Sequence, residues 1–210
     1  MSAKILSVIA VSIFSFSLSA KAANDGSVAS ADYYHFAGWR GEYPMGFELL
    51  KEVQVSTVAS PVNPVEGAKC TLKKNSVIHP WAEKTRSEFV TLSPLSLYVA
   101  KKDFQIGEGG GAKSTKVAAG ETITELTYLS EGFCLYSFKG KEIENTCLQY
   151  VKEAKLKSVS PFKAREFFKT ACADGKSRWV DAEHLQELVQ SKSPSVKEAE
   201  VLDYGKVKEP

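Results

Sequence analysis

The sequence has no long apolar run beyond its first 18 residues, no excess of one charge sign and no C-x-x-C motif. Since a membrane-spanning helix requires about 20 apolar residues, no stable membrane span is expected. The chain has 27 Lys+Arg and 25 Asp+Glu, with no cluster of basic residues. Nucleic-acid binding is not expected either, because that affinity comes mainly from clustered positive charge.

Histidine is also scarce, and the three residues His35, His79 and His184 lie far apart. They lack the H-x-x-x-H spacing by which a helix presents two ligands to zinc. The G-x-S-x-G motif of serine hydrolases does not occur in the sequence. We therefore predict no metal site, no cofactor and no catalytic residue, and we interpret the protein as a non-enzyme.

Residues 107–114 (G-E-G-G-G-A-K-S) come within one residue of a nucleotide-binding P-loop, because Ala112 stands where the motif has Gly. A true P-loop opens a helix whose N-terminal amides hold phosphate. Only residues 115–119 separate this stretch from Gly120, which is too few for such a helix. The pattern therefore favours a hairpin loop.

The first 22 residues have the pattern of a secretory signal peptide. Lys4 is followed by 14 apolar and serine residues, and Ala20-Lys21-Ala22 is an A-x-A cleavage site. Cleavage after Ala22 removes Lys4 and Lys21 and no acidic residue, which leaves 25 basic and 25 acidic residues. The sequence thus predicts a periplasmic or secreted protein with a net charge of about zero.

An exported chain with four cysteines predicts two disulfide bonds before a metal or redox site. The cysteines are Cys70, Cys134, Cys147 and Cys172. Four cysteines allow three pairings, and their spacing alone does not choose among them.

A hairpin pattern around Gly140 favours one pairing. Two apolar segments flank a two-residue turn begun by this glycine, which supplies a positive φ. In that register Cys134 faces Cys147 at a non-hydrogen-bonded position, where side chains approach most closely. Cys70 would then pair with Cys172. The alternative is a bridge between Cys147 and Cys172.

The middle of the chain is typical of short β-strands. Residues 52–57 alternate, with Val53, Val55 and Thr57 on one face. Further strands are predicted near 70–72, 76–78, 88–92, 95–100 and 122–129. Turn residues recur about every ten positions, which favours a mainly β barrel or sandwich.

The last third of the chain has a helical period. Ser160-Pro161 has the pattern of an N-cap followed by a proline at the first helical position. One apolar face would consist of Ala164, Phe167, Phe168 and Ala171. These features predict a helix near 161–172.

A second helix is predicted after Asp181, which would cap it, with Leu185, Leu188 and Val189 facing inward. Residues 191–210 are charged and interrupted by proline, and they are interpreted as a solvated tail.

Several positions resemble the bacterial Src-homology-three-like domain, a small β-barrel. The matching residues are Gly120-Glu121, Ile123, Leu126, Gly132-Phe133, Gly140 and the closing Trp179-Val180 with Leu185. The resemblance covers roughly residues 94–186. It implies one or two such barrels with one or two C-terminal helices, and a peptide-binding, cell-wall-binding or scaffolding role.

A weaker internal repeat suggests the second barrel. At a constant offset of 45, Leu72, Asn75, Val77 and Ile78 match Val117, Gly120, Thr122 and Ile123. The expected organisation is a signal peptide (1–22), an aromatic-rich arm (23–46), a first β unit (47–92), a barrel with an inserted helix (93–190) and the tail (191–210).

The aromatic-rich arm offers the candidate ligand-binding residues Tyr33, Tyr34, Trp39, Arg40 and Tyr43. Rings of this kind can form a platform for sugars or proline-rich peptides. Alternatively, the arm packs across an apolar end of the barrel, since so many exposed rings would form a large apolar patch.

The expected function is that of a binding module for an envelope component, either a protein or a peptidoglycan-derived ligand. One alternative is a periplasmic enzyme inhibitor or immunity-type protein. Another is a small hydrolase that uses scattered carboxylates such as Glu88, Asp103 or Glu144.

Overall fold

A computed structural model describes residues 33–41, 45–62, 64–80, 88–107, 114–189 and 199–202. The predicted signal peptide, most of the predicted tail and Tyr43 lie outside these residues. Residues 199–202 of the predicted solvated tail instead form a strand that pairs with residues 46–49, and Ala199 is fully buried. The described part is mainly β, as predicted, and it contains one α-helix and one short 3₁₀ turn.

Seven consecutive strands form what we call the inserted unit, residues 95–160. They are β7 (Ser96–Ala100), β8 (Phe104–Ile106), β9 (Thr115–Val117), β10 (Thr122–Tyr128), β11 (Phe133–Phe138), β12 (Lys141–Thr146) and β13 (Ala154–Val159). Five of them form an antiparallel sheet in the order β12-β11-β10-β7-β13. The β8–β9 hairpin lies between β7 and β10, and the 3₁₀ turn Leu148–Tyr150 lies between β12 and β13.

The remaining elements form the outer unit, residues 33–94 and 161–202. They are β1 (Tyr33–Phe36), β2 (Gly46–Leu49), β3 (Val53–Val55), β4 (Cys70–Leu72), β5 (Val77–Ile78), β6 (Glu88–Pro94), β14 (Arg165–Ala171), β15 (Ser177–Asp181), α1 (Ala182–Val189) and β16 (Ala199–Leu202). Two sheets have the orders β16-β2-β5 and β1-β6-β14-β15, and β3 pairs with β4.

The two units are not arranged one after the other along the chain. β6 pairs directly with β14, with Leu92 opposite Arg165, so the whole inserted unit lies between two neighbouring strands. Phe168, Val180 and Leu185 share one core with Phe47. The expected boundary near residue 93 therefore does not separate the chain into successive units, because strands beyond residue 164 complete the first one.

The same order of elements occurs twice. In the inserted unit, β7 is followed by the β8–β9 hairpin and β10, and the 3₁₀ turn precedes β13, which pairs with β7. In the outer unit, β2 is followed by the β3–β4 hairpin and β5, and α1 precedes β16, which pairs with β2. The turn before the second strand also repeats, since the amide of Asn75 donates to Leu49 at 2.7 Å and that of Gly120 to Ala100 at 2.8 Å. Asn75 and Gly120, two of the positions matched at an offset of 45, both have positive φ.

In the described residues, β12 and β13 form the two edges of the five-stranded sheet and are not paired with each other. The sheet is therefore not a closed barrel. The residues of the family resemblance are also divided, because Gly120, Gly132 and Gly140 lie in the inserted unit whereas Trp179 lies in β15 of the outer unit.

The predicted helix near 161–172 is wrong, because residues 165–171 form β14, which pairs with β6 and β15. Phe167 packs with Val90 and Leu92, whereas Phe168 packs in the main core, so both faces of the strand are covered. A strand covered on both faces has adjacent apolar residues, and its pattern resembles that of a buried helix. Ser160 donates its amide to Leu95 instead of capping a helix.

The helix after Asp181 is present as α1. Asp181 Oδ1 accepts a hydrogen bond of 3.0 Å from the amide of Glu183, and Leu185 is fully buried. Leu188 and Val189 pack against the same core.

Both predicted disulfide bonds are present, Cys70–Cys172 and Cys134–Cys147. The expected hairpin register was wrong by two residues, since the turn lies at Lys139-Gly140 and Cys134 faces Asn145. Lys139 and Gly140 have φ of 51° and 74°, the combination that a two-residue type I′ turn requires. A shift of two residues keeps every side chain on its face, so the two cysteines still meet, one position past the end of β12.

Candidate functional site: a charged cleft

A cleft of about 380 Å³ opens in the outer unit between β1, the chain entering β14, and the start of α1. Its charged lining residues are Arg40, Lys163, Arg165, Glu166, Asp181 and Glu183. Tyr33 contributes an aromatic wall. Because strands and a helix distant in sequence meet here, the cleft exists only in the folded outer unit.

Asp181 forms the polar base of the cleft. Its Oδ2 accepts a hydrogen bond of 2.6 Å from Arg165 Nη2, and its Oδ1 accepts one of 3.0 Å from the amide of Glu183. The Asp181 side chain is only 7% exposed, whereas that of Arg165 is 37% exposed. Both oxygens of Asp181 are thus used to join β14 to the start of α1, which indicates a structural role.

Arg40 and Lys163 are cations without such partners. Within the described part of the chain, neither side chain forms an ion pair, and the buried Nε of Arg40 has no hydrogen-bond partner. Buried polar groups normally have a partner, so the free Nε of Arg40 requires an explanation.

Glu166 is the acidic group that interacts electrostatically with Arg40. Burial raises the pKa of the Glu166 carboxyl above its ordinary value, the nearby charge of Arg40 lowers it in part, and the charge of Asp181 raises it further. Since burial outweighs the attraction to Arg40, protonated Glu166 persists to a higher pH than an exposed glutamic acid.

The aromatic-rich arm packs mainly into the protein. Tyr34 is 2% exposed and its hydroxyl donates to Glu142 of β12 at 3.0 Å. Burial is the main cause that raises the pKa of Tyr34 to about 12. The half-buried ring of Trp39 lies 4.9 Å from that of Phe89. The structure therefore uses these two predicted binding residues in packing, and Tyr43 lies outside the described residues.

Tyr33 and Arg40 are the candidate binding residues that reach the cleft. The Tyr33 ring lies 5.2 Å from that of Phe162, which is 44% exposed. These two rings form an apolar rim next to Lys163.

The carboxylates proposed for a hydrolase do not come together. Glu88 pairs with Lys169 at 2.9 Å, and Asp103 pairs with Lys116 at 2.7 Å. The hydrogen bond from Lys116 holds the pKa of Asp103 below its ordinary value. Glu144 is exposed on β12. The structure instead places three other carboxylates in the cleft, those of Glu166, Asp181 and Glu183.

Sequence reasoning missed most of the cleft because it assigned residues 161–172 to a helix. In such a helix Arg165 and Glu166 would lie outside the apolar face, whereas β14 holds them at the cleft. Asp181 was found, but only as a helix cap. The spacing of polar residues around β14 carries no signal that would reveal the neighbouring β1 and α1.

The described residues include no group of three or more His, Cys, Asp or Glu side chains placed to hold a metal ion. The P-loop-like stretch is described only at its ends, where β8 and β9 pair as a hairpin and β9 is a strand, not a helix. In the same part of the chain, no helix is long and apolar enough to cross a membrane.

Comparison with known proteins gave no match, whether to protein families, to curated proteins or to solved structures.

Proposed function

We propose that the protein is an exported, non-enzymatic binding module for a component of the cell envelope, either a protein or a peptidoglycan-derived ligand. The observation that carries this proposal is the concave cleft, where Arg40 and Lys163 have no ion-pair partners among the described residues. Ligand sites are typically concave with a few convergent polar groups. The signal-peptide pattern and two disulfide bonds support export.

The strand order supports two Src-homology-three-like units, one inserted into the other. In the inserted unit, Gly120, Gly132 and Gly140 all lie at turns with positive φ, as the resemblance implies. In the outer unit, Trp179 of β15 precedes a helix and a strand that returns beside β2. The resemblance implies peptide or cell-wall binding, which agrees with the proposed role.

Cosedimentation with isolated peptidoglycan sacculi tests this function. The chain after Ala22 is expected to sediment with sacculi. Arg40→Ala combined with Lys163→Ala is expected to weaken binding by about a hundredfold or more, because charge-assisted contacts contribute about 1.5–3 kcal/mol each. Lys102→Ala is the matched control, since Lys102 is exposed and does not line the cleft. A chain that stays in the supernatant at low salt would argue against wall binding.

A small hydrolase is the second candidate, and the raised pKa of Glu166 beside Asp181 favours it. Such an enzyme would release soluble fragments from the same sacculi, and Glu166→Gln would abolish the release. The two bonds that Asp181 already makes weaken this candidate, because its oxygens serve Arg165 and the start of α1.

A further inference from the structure

Two cations of the cleft have no ion-pair partner among the described residues. The Asp181 carboxylate accepts a hydrogen bond of 2.6 Å from Arg165 and one of 3.0 Å from the amide of Glu183 in the first turn of α1. Arg40 and Lys163 then remain without ion pairs in the described structure, and the other two lining acids are Glu166 and the exposed Glu183.

Arg40 is the lining cation whose side chain best matches a carboxylate. Its Nε is buried and has no hydrogen-bond acceptor within the described residues. This buried Nε is not open to the cleft, but Arg40 itself lines the cleft, and a guanidinium presents paired N–H groups that match a carboxylate. Glu166 lies near enough to interact with Arg40 electrostatically but forms no ion pair with it.

The acids in the lining favour a ligand with a single negative charge. Three cations and three acids face the cleft. A phosphate monoester, which carries close to two negative charges at neutral pH, would be repelled by Glu166, Asp181 and Glu183. A carboxylate matches the two cations that have no ion pair and meets less repulsion.

The size and the apolar rim indicate what the carboxylate is attached to. About 380 Å³ lies near the small end of the usual range for ligand pockets, about 300–1,000 Å³, so the cleft suits the end of a chain. Tyr33 and Phe162, with ring centroids 5.2 Å apart, would cover a small apolar side chain beside Lys163.

We propose that the cleft binds the free terminal carboxylate of a short peptide through Arg40 and Lys163, with Tyr33 and Phe162 contacting the terminal side chain. This inference rests on the proposed binding function and names its ligand group. A peptidoglycan stem peptide has the required short length and a free carboxylate.

The test is calorimetric titration of the chain after Ala22 with a disaccharide-tetrapeptide muropeptide and with the same muropeptide amidated at its carboxylates. The acid is expected to bind at least tenfold more tightly than the amide. Tri-L-alanine and its C-terminal amide form a second pair, which distinguishes a stem peptide from the end of any peptide chain. Equal affinity of acid and amide in both pairs would overturn the proposal.

Two variants locate the site. Arg40→Gln is expected to lose the preference for acid over amide, whereas Lys102→Gln is expected to keep it. Retention of the full preference in Arg40→Gln would place the carboxylate elsewhere. Inorganic phosphate that binds more tightly than acetate in an Arg40-dependent manner would contradict the choice of a singly charged group.

The acid and amide comparison uses the unaltered protein, so it stays decisive if a variant does not fold. Sedimentation with sacculi without any preference for the acid would overturn this inference alone. Failure to bind both sacculi and every peptide would overturn the proposed function.

Discussion

The outer and inserted units repeat one order of elements but differ in how the chain builds them. The inserted unit is one continuous stretch, and its disulfide joins residues 13 apart. The outer unit is assembled from two separate stretches, and its disulfide joins Cys70 and Cys172, which are 102 residues apart. Contacts distant in sequence cost more loop-closure entropy, so the outer unit depends more on long-range crosslinks and packing.

The units also differ in what has been added to the shared order. The outer unit has β1 beside β6 and a full helix, α1, where the inserted unit has the 3₁₀ turn Leu148–Tyr150. The charged cleft lies between β1, β14 and the start of α1. Two elements that border the candidate site, β1 and α1, therefore have no strand or α-helix counterpart in the inserted unit.

The largest effect is expected from removing the outer disulfide. Chain-entropy arguments give about 4.7 kcal/mol for closing a loop of about 100 residues and about 3 kcal/mol for one of about 15. Cys70→Ala with Cys172→Ala should therefore lower the free energy of unfolding more than Cys134→Ala with Cys147→Ala. Urea denaturation at neutral pH measures both. The reverse order would mean that the outer unit does not depend on its long-range bridge.

The second effect concerns Asp181, which joins β14 to α1. Asp181→Ala removes a helix cap and leaves Arg165 without its carboxylate, so a loss of about 2 kcal/mol in unfolding free energy is expected. Glu66→Ala is the control, because Glu66 pairs with Lys69 at 3.7 Å between two exposed side chains, where such pairs contribute about 0–1 kcal/mol. Equal losses in the two variants would show that Asp181 contributes no more to the unfolding free energy than an exposed ion pair does.

A third prediction tests whether the units are coupled. Ser93 of β6 and Thr127 of β10 share a buried hydrogen bond of 2.7 Å between their hydroxyls. Thr127→Val leaves the buried Ser93 hydroxyl without this partner and should cost about 1–3 kcal/mol. Ser93→Ala should cost less, because the Thr127 hydroxyl still donates to the carbonyl oxygen of Tyr128 at 3.2 Å. The double variant should cost less than the sum, since both partners are then gone. Strict additivity in urea denaturation would show that the two units are energetically independent at this contact.

The smallest effect is expected at Glu166. Burial is the main cause that raises its pKa in the folded protein, so the ionised Glu166 carboxylate destabilises the fold at neutral pH. Glu166→Gln should therefore raise the Tm by at most a few degrees at pH 7. The gain should disappear as the pH falls below the ordinary pKa of glutamic acid, where the group is protonated in both states. A gain that persists at low pH would have a different cause.

Several features could be predicted because they depend on neighbours in sequence. Val53 and Val55 alternate with polar residues, and both are buried in β3. Asp181 precedes an amphipathic segment, which forms α1. The predicted Cys134–Cys147 bridge is present although the predicted register was wrong by two residues, because the side chains of a strand return to the same face every two positions.

Other features could not be predicted because distant strands decide them. The adjacent Phe167 and Phe168 fit a buried helix or a strand covered on both faces. β6 and β15, which pair with β14 on its two sides, satisfy its backbone groups and choose the strand. The insertion of one unit into the other follows from the same pairing.

The sequence by itself determined the mainly β character, the presence of a turn at Gly140, the helix after Asp181 and which faces carry the cysteines, since these follow from local periodicity and backbone preferences. Only the tertiary structure decided that β6 and β14 are neighbours and that Arg40, Lys163 and Glu166 share one cleft. The physical reason is that pairing partners and concave surfaces arise from hydrogen bonding and burial between segments far apart in the chain, which no local pattern encodes.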